Sequence, residues 1–384
     1  MSLRALASVN LAAIERNVTR LRELAGPGTR LCAVVKADAY GHGAVPCARA
    51  ALRAGAEALA VATAREAVEL RSGGVQAPVL VLGALSDEEL PQALAAGAEV
   101  IAWSLRFVEQ VERGADAPVA MHVKLDTGMG RLGTRALEEA LAVADRIAAG
   151  GPRLALAGAM THFASADEDP EFVRAQLDEF EPFVARLRRR APGIVVHCAN
   201  SAAIINEPAT HFGMVRPGIA MYGGDPMNEE PSRHGLEPAL ALTSYVAAVK
   251  LAAPGQSTGY GRRYIARTDT WLATLPIGYA DGIRRAMGGN GQVLVGGTRY
   301  PIVGAVSMDN VVLEIGAEPS VAVGERATLV GTDGAERLTA EELARRMGTV
   351  NYEVLCGISA RVPRAYHRDC LLYTSDAADD LTRV

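Results

Sequence analysis

From about Leu31 to Gly224, short apolar and β-branched runs alternate with segments of helical period. The runs start at Leu31 (LCAVV), Ala58 (ALAVA), Pro78 (PVLVLG), Glu99 (EVIAW), Pro118 (PVAMHVKLD), Leu156 (LAGAMTH), Ile194 (IVVHCAN) and Met214 (MVRPGIAMYG). Near-continuous apolar strands separated by helices predict a parallel sheet covered on both faces. Between the strands, Thr63 with Glu66 and Ser86 with Glu89 have capping-box spacing, and REAVELRSGG ends on glycines suited to close a helix. A count of eight predicts closure into a (β/α)8 barrel of the TIM type; a doubly wound open sheet is the alternative that period alone allows.

After Gly224 the texture changes. NEEPSRHG reads as a polar linker, and from Leu236 to about Arg364 come alternating runs broken by glycines, such as ALTSYVAAVKL, TWLATLPIGY, GQVLVGG and NVVLEIG. Only LTAEELARRMG, with Thr339 as N-cap, reads there as a clear helix. The expected organisation is α/β: a barrel over residues 10–230 and a C-terminal all-β domain over 236–368, joined by a strand from residues 1–9. The stretch from Cys370 (CLLYTSDAADDLTRV) has neither period and breaks with the charged RVPRAYHRD before it. Residues 370–384 are expected to be a non-native tail.

Bulk properties narrow the function classes. The 384 residues are 49% hydrophobic and 22% charged, ordinary values for a globular protein with ample core. A net charge of −5 leaves no basic footprint for nucleic acid, and no apolar stretch is long enough to span a bilayer. Asn10, Glu15 and Arg16 interrupt the apolar start too early for a secretory signal. The five cysteines (32, 47, 198, 356 and 370) have neither metal-ligand nor disulfide-framework spacing, so reduced thiols in the cytoplasm are expected and no metal.

Lysine is scarce: among 39 basic residues only Lys36, Lys124 and Lys250 are lysines. Arginine supplies a permanent charge but never a neutral amine nucleophile, so a retained lysine at a strand end is a candidate for Schiff-base chemistry. Lys36 and Tyr40 follow the first strand; Lys124, Asp126 and Arg131 follow the fifth. His162 ends the sixth, Asn200 and Ser201 the seventh, and Arg216 lies in the eighth. Function in such barrels is built at the C-terminal rim, where the loops converge. Backbone donors in RPGI can bind an anion. In the second domain, GYGRRY around Tyr260, LPIGYADG around Tyr279 and SMDN around Met308 place polar and aromatic groups in loops.

These motifs resemble those of the alanine racemase family, in order, from Leu6 to Asp369: VVKADAYGHG, GMGRLG, HFASAD, HCANSA, RPGIAMYG, GYGRRY, LPIGYADG, VSMDN and NYEVLCGISARVPR. The resemblance implies a pyridoxal 5'-phosphate-dependent isomerase that makes D-alanine for peptidoglycan, a homodimer with shared active sites. Lys36 is then the lysine that holds the cofactor and one of two bases; Tyr260 of the partner subunit is the other. Tyr40, Ser201, Tyr352 and the backbone of Gly218 and Ile219 are implied to hold the phosphate, His162 to support the pyridine ring, and Arg216 to face its nitrogen. Arg131 and the backbone N–H of Met308 of the partner subunit are implied to hold the substrate carboxylate. Lys124 matches a position that is carbamylated in some members, and Asn200 orients the adjacent shell.

The chemistry agrees with those roles. An alanine Cα–H is a very weak acid, so an electron sink is needed, and the cofactor supplies one. Racemisation removes a proton from one face and returns one to the other, which calls for two groups on opposite sides of a flat carbanion. Alternatives are a broad-specificity racemase acting on serine or lysine and a non-catalytic pyridoxal-phosphate-binding protein; Tyr352 and Tyr279 favour a narrow entrance. One departure is Ala305, where the family often carries an arginine facing the position of Asp167.

Overall fold

The computed structural model describes Leu3–Arg368, so the expected tail at 370–384 lies outside the described residues. The chain forms two compact units. One comprises Ile14–Met227 with Ser232–Leu236; the other takes the chain up to Ala13, Asn228–Pro231 and the chain from Glu237 onward.

In the first unit the apolar runs become eight parallel strands in one sheet. They are Arg30–Val34, Ala58–Val61, Val79–Val81, Glu99–Ala102, Val119–Lys124, Leu154–Met160, Val195–His197 and Met214–Val215. The last pairs with the first, Arg30 opposite Met214. Hydrogen bonds from Gly213 N to Val196 O (3.1 Å) and from Arg216 N to Ala199 O (2.9 Å) bridge the seventh strand to the eighth and close the barrel. Helices return the chain between strands, as right-handed crossover of parallel strands requires. Both predicted capping boxes form: Thr63 with Glu66 opens helix Ala64–Ser72, and Ser86 with Glu89 closes the turn before helix Leu90–Ala95.

The second unit is dominated by a ten-stranded sheet. Strand Leu6–Asn10 enters it between Leu240–Tyr245, antiparallel, and Arg364–His367, parallel. Its burial pattern explains the fit: Ala7, Ser8 and Val9 are all buried, as befits a strand with neighbours on both sides. Asn10 then caps the following helix, its side-chain oxygen accepting from Ala12 N and Ala13 N. Helix Ala340–Met347 starts at Thr339 as expected; a second, Asn351–Cys356, is only six residues long and shows no readable period. Among the described residues no helix is long and apolar enough to cross a membrane, and no group of His, Cys, Asp and Glu could hold a metal ion.

Candidate active site

The first barrel strand delivers Lys36 into an unusual turn. Ala37, Asp38, Ala39 and Tyr40 all have φ of 52–54° and ψ of 38–50°, a full turn of left-handed helix. For L-residues this costs about 1–2 kcal/mol each, so about 4–8 kcal/mol for the four. The surrounding contacts over-determine it. Ala37 N donates to Glu66 Oε1 (2.7 Å), Ala39 N to Val35 O (2.9 Å), and Gly43 N to Asp38 O (2.9 Å). The Asp38 carboxylate accepts from Ala44 N at the head of helix Ala44–Arg53 (2.7 Å). His42 Nδ1 lies 3.0 Å from both Ala39 O and Tyr40 O, an arrangement that places its proton on Nδ1. Its ring stacks on Tyr222, which also packs on Tyr40 and donates to Val34 O. Ala37, Asp38, Ala39, Tyr40 and His42 thus all have a part in holding Lys36 at the rim.

Tyr40 leads to the second element of the site. A Cβ on Gly218 would fall 2.3 Å from Tyr40 Oη, so only glycine allows this approach. Ser201 Oγ accepts from Gly218 N (2.8 Å) and Ala220 N (3.3 Å), which fills its lone pairs and leaves its own proton to be donated onward. Ser201, Ile219 and Tyr40 are buried. Asn200 caps helix Ser201–Asn206, its Oδ1 accepting from Ala203 N, and so fixes where Ser201 stands.

Arg216 is the third element, 3% exposed. Nη1 donates to His197 Nδ1 (2.7 Å); Nη2 reaches Thr161 O and Cys198 O (3.1 Å each) and His162 Nδ1 (3.3 Å). Desolvation, then the charges of Arg216, Lys124, Arg131 and Lys36, hold the His162 pKa well below its ordinary value. His162 is therefore a neutral ring with an acceptor turned to Arg216. Its backbone is held by Gln176, a fully buried side chain of helix Pro170–Arg190 that also bonds Ala164 N and Thr127.

Lys124 ends the fifth strand, buried, with Arg216 and Arg131 among its neighbouring charges. Burial, then those two guanidinium charges, push its ammonium down to about 8, against the opposing pull of Asp126. Asp126 is itself fixed by Gly128 N, Gly130 N and Arg135. That shapes the loop carrying Arg131, which is exposed.

The second unit has its own cluster. Tyr260 is 75% exposed, on a turn set by Gly259 and Gly261 at positive φ. Met308 (52% exposed) and Tyr279 (43% exposed) lie on two loops in direct contact, with Tyr279 N donating to Ser307 O and Ala280 N to Met308 O. The Gly278 position is as close-fitting as Gly218: a Cβ would fall 2.3 Å from Ser307 O. Arg4 braces these loops by a two-pronged bond to the buried Asp281 (2.7 Å for each contact), which in turn accepts from Gly278 N. Tyr352 is half-buried in helix Asn351–Cys356.

Within the barrel the structure therefore brings together Lys36, Tyr40, Lys124, His162, Asn200, Ser201, Arg216, Gly218 and Ile219 around the C-terminal strand ends, whereas Tyr260 and Met308 stand in the other unit's exposed loops. Sequence reasoning missed Glu66 as the clamp on Ala37, Gln176, Arg4 with Asp281, and the pair His122 and His197. The first had a signal, a carboxylate at capping-box spacing; the others have partners 12 to 277 residues away, which no local pattern shows.

Comparison with known proteins agrees over nearly the whole chain. Residues 9–226 match the family described as "Alanine racemase, N-terminal domain" and residues 239–366 "Alanine racemase, C-terminal domain". An alanine racemase of Nostoc sp. is 39% identical over 379 residues, covering 94% of this chain and 96% of the relative. Alanine racemase 1 of Bacillus subtilis is 41% identical over 369 residues, covering 94% and 92%. Among solved structures, alanine racemase from Streptomyces lavendulae superposes with a TM-score of 0.90 at 37% identity, covering 96% of this chain and 98% of that one. That from Bacillus anthracis, with bound L-Ala-P, gives 0.88 at 37%, covering 96% of both. With both domains matched and relatives near 40% identity along its length, the chain belongs to the alanine racemase family of pyridoxal-phosphate-dependent isomerases.

Proposed function

We propose that this chain interconverts L- and D-alanine through two bases on opposite faces of the substrate carbon, Lys36 and Tyr260 of the partner subunit. The observation that carries this reading is Lys36 standing at the head of a strained, fully pinned turn, whose last residue, Tyr40, closes against Gly218.

The residues present fit pyridoxal 5'-phosphate. The Tyr40 hydroxyl, the free proton of Ser201 and the backbone at Gly218 and Ile219 make a buried donor set for a phosphate, and a Cβ at 218 would fill it. By resemblance to the family, we assign Tyr352 to the phosphate as well. When bound, the cofactor is an electron sink that acidifies the substrate Cα–H. Lys36 would hold it through the ε-amine and would be the base that moves the proton on one face of the substrate carbon. Arg216 only donates, so it would leave a ring nitrogen unprotonated and would limit how much charge leaves Cα, and with it the side reactions. Neutral His162 supports the ring. Arg131 and the N–H of Met308 of the partner subunit hold the substrate carboxylate. Lys124, with an ammonium pKa of about 8, has an accessible neutral form, which carbamylation requires.

The exposed Tyr260, Tyr279 and Met308 support a homodimer in which each copy lends this cluster to the other. We further place the enzyme in the cytoplasm, in keeping with the buried thiols of Cys32, Cys47 and Cys198. The test is alanine turnover in deuterated water by the wild type, Lys36→Ala and Tyr260→Phe. Loss of all racemisation in the first variant, and loss of solvent-deuterium uptake from mainly one enantiomer in the second, is expected. Equal, small effects on both enantiomers would overturn the two-base assignment.

A further inference from the structure

A line of side chains runs through the barrel interior from Arg216 to the opposite end. Arg216 Nη1 meets His197 Nδ1 at 2.7 Å, His197 Nε2 meets His122 Nδ1 at 2.8 Å, and His122 Nε2 meets Glu99 Oε2 at 3.0 Å. Both histidines are buried, at 0% and 3% exposure, among parallel strands whose other side chains are mainly apolar. Their meeting has required space: a Cβ on Gly158 would lie 2.2 Å from His122 Nδ1. Glu99 is the first residue of its strand, whereas Lys36, His162 and Arg216 follow the far ends of theirs; it therefore sits at the floor of the barrel. There it borders a cavity of about 500 Å³ lined also by Arg71, Pro118 and Ala120.

The two ends of this line leave no choice of proton placement. A guanidinium has only donors, so His197 Nδ1 must accept and its proton must lie on Nε2. His122 Nδ1 must then accept from it, which places the His122 proton on Nε2, facing a carboxylate that only accepts. We propose that Glu99 is a remote positioning residue, which fixes the tautomers of His122 and His197 and thereby the plane in which Arg216 presents its guanidinium to the site. A donor at position 99 would reverse both rings and turn the His197 Nδ1 proton against Arg216 Nη1. Electrostatics agrees: burial, then Arg216 and His122, keep His197 well below its ordinary pKa, and the bond from His122 keeps Glu99 ionised. A partner that bonds a site residue from behind fixes the direction in which that residue meets its ligand.

The role given to Arg216 rests on the function proposed above; the proton arrangement does not. The test therefore reads both. The holoenzyme is prepared with 15N-labelled histidine as wild type, Glu99→Gln and Glu99→Lys; ring tautomers are read by NMR, and kcat and KM for alanine are measured. Expected are Nε2–H for His122 and His197 in the wild type and in Glu99→Gln, which keeps an acceptor. In Glu99→Lys we expect altered tautomers and a kcat at least about tenfold lower, with KM changed by no more than about twofold. A proton on Nδ1 of either ring in the wild type overturns the proposal whether or not the variants fold. Unchanged tautomers in Glu99→Lys, or an equal loss in Glu99→Gln, overturn it as well, as does a tautomer change that leaves kcat intact. Absent alanine turnover in a wild type with the expected tautomers would instead refute the function and leave the proton line standing.

Discussion

Glu66 offers a direct test of how the lysine turn is held. One carboxylate oxygen accepts from Ala37 N at 2.7 Å; the other accepts from Ala62 N at 2.7 Å and Thr63 N at 3.0 Å. It therefore serves as the reciprocal half of a helix cap and as the clamp on the first left-handed residue. Buried charge-assisted bonds are worth about 1.5–3 kcal/mol each, but Ala37 and Thr63 are exposed and Ala62 is half-buried, so water replaces part of each. About 2–4 kcal/mol in total is expected for Glu66→Ala, tolerable against a typical stability of about 5–15 kcal/mol. The local consequence is larger than the global one, because about 4–8 kcal/mol of left-handed strain then loses its N-terminal anchor beside Lys36. Urea unfolding at constant m reads the global loss. Amide exchange at Ala37 and Ala39 reads the local one, together with kcat. Adding Ala37→Gly should return about 0.5–1 kcal/mol, since glycine adopts positive φ without that strain. A global loss below about 1 kcal/mol with unchanged exchange at Ala37 would refute the clamp.

Other expectations follow from the same geometry. Gly218→Ala brings a methyl into Tyr40 Oη and should cost about 1–3 kcal/mol in cofactor affinity, roughly ten- to hundredfold by absorbance titration; unaltered affinity would count against the cradle. The Lys124 ammonium has a pKa of about 8 when folded and about 10.4 when unfolded, so the unfolded chain binds more protons in between and stability should rise with pH across that window. In carbon-dioxide-free buffer Lys124→Met should flatten that rise and relieve up to about 3 kcal/mol below pH 8; an unchanged slope from pH 8 to 10 would contradict it. Gly158→Ala should push His122 away from His197 and break their bond yet leave both rings as Nε2–H, because Arg216 and Glu99 still fix their own neighbours; a proton on Nδ1 of either ring, read by the same NMR measurement, would contradict this.

The barrel was legible because most strand residues are buried on both faces and so are written as near-continuous apolar runs, a pattern that survives without knowledge of neighbours. The caps at Thr63 and Thr339 were legible because both partners lie within three residues. The left-handed turn was not. Ala-Asp-Ala-Tyr is an ordinary string by propensity, and its conformation is imposed by Glu66 from another loop and by Tyr222 from 180 residues on. His122 likewise reads as one polar interruption of a core strand until Glu99 and His197 are placed beside it. The rim residues were named by type and strand-end position and their roles by the family resemblance; Asn200 was among them, but nothing in its position showed that it caps a helix. Short helices such as Asn351–Cys356 contain too few turns for a period to show.

The position of Leu6–Asn10 between Leu240–Tyr245 and Arg364–His367 has a consequence for biogenesis. This segment is translated before its neighbours: those that satisfy its backbone follow only after residue 239, and the last of them ends at His367. The intervening polypeptide has every barrel strand it needs and can mature during elongation, at about 5–20 residues per second. The leading strand must wait, exposing two unpaired edges over that interval. A nascent chain stalled before residue 240 should therefore carry a protease-sensitive first strand ahead of a protected barrel.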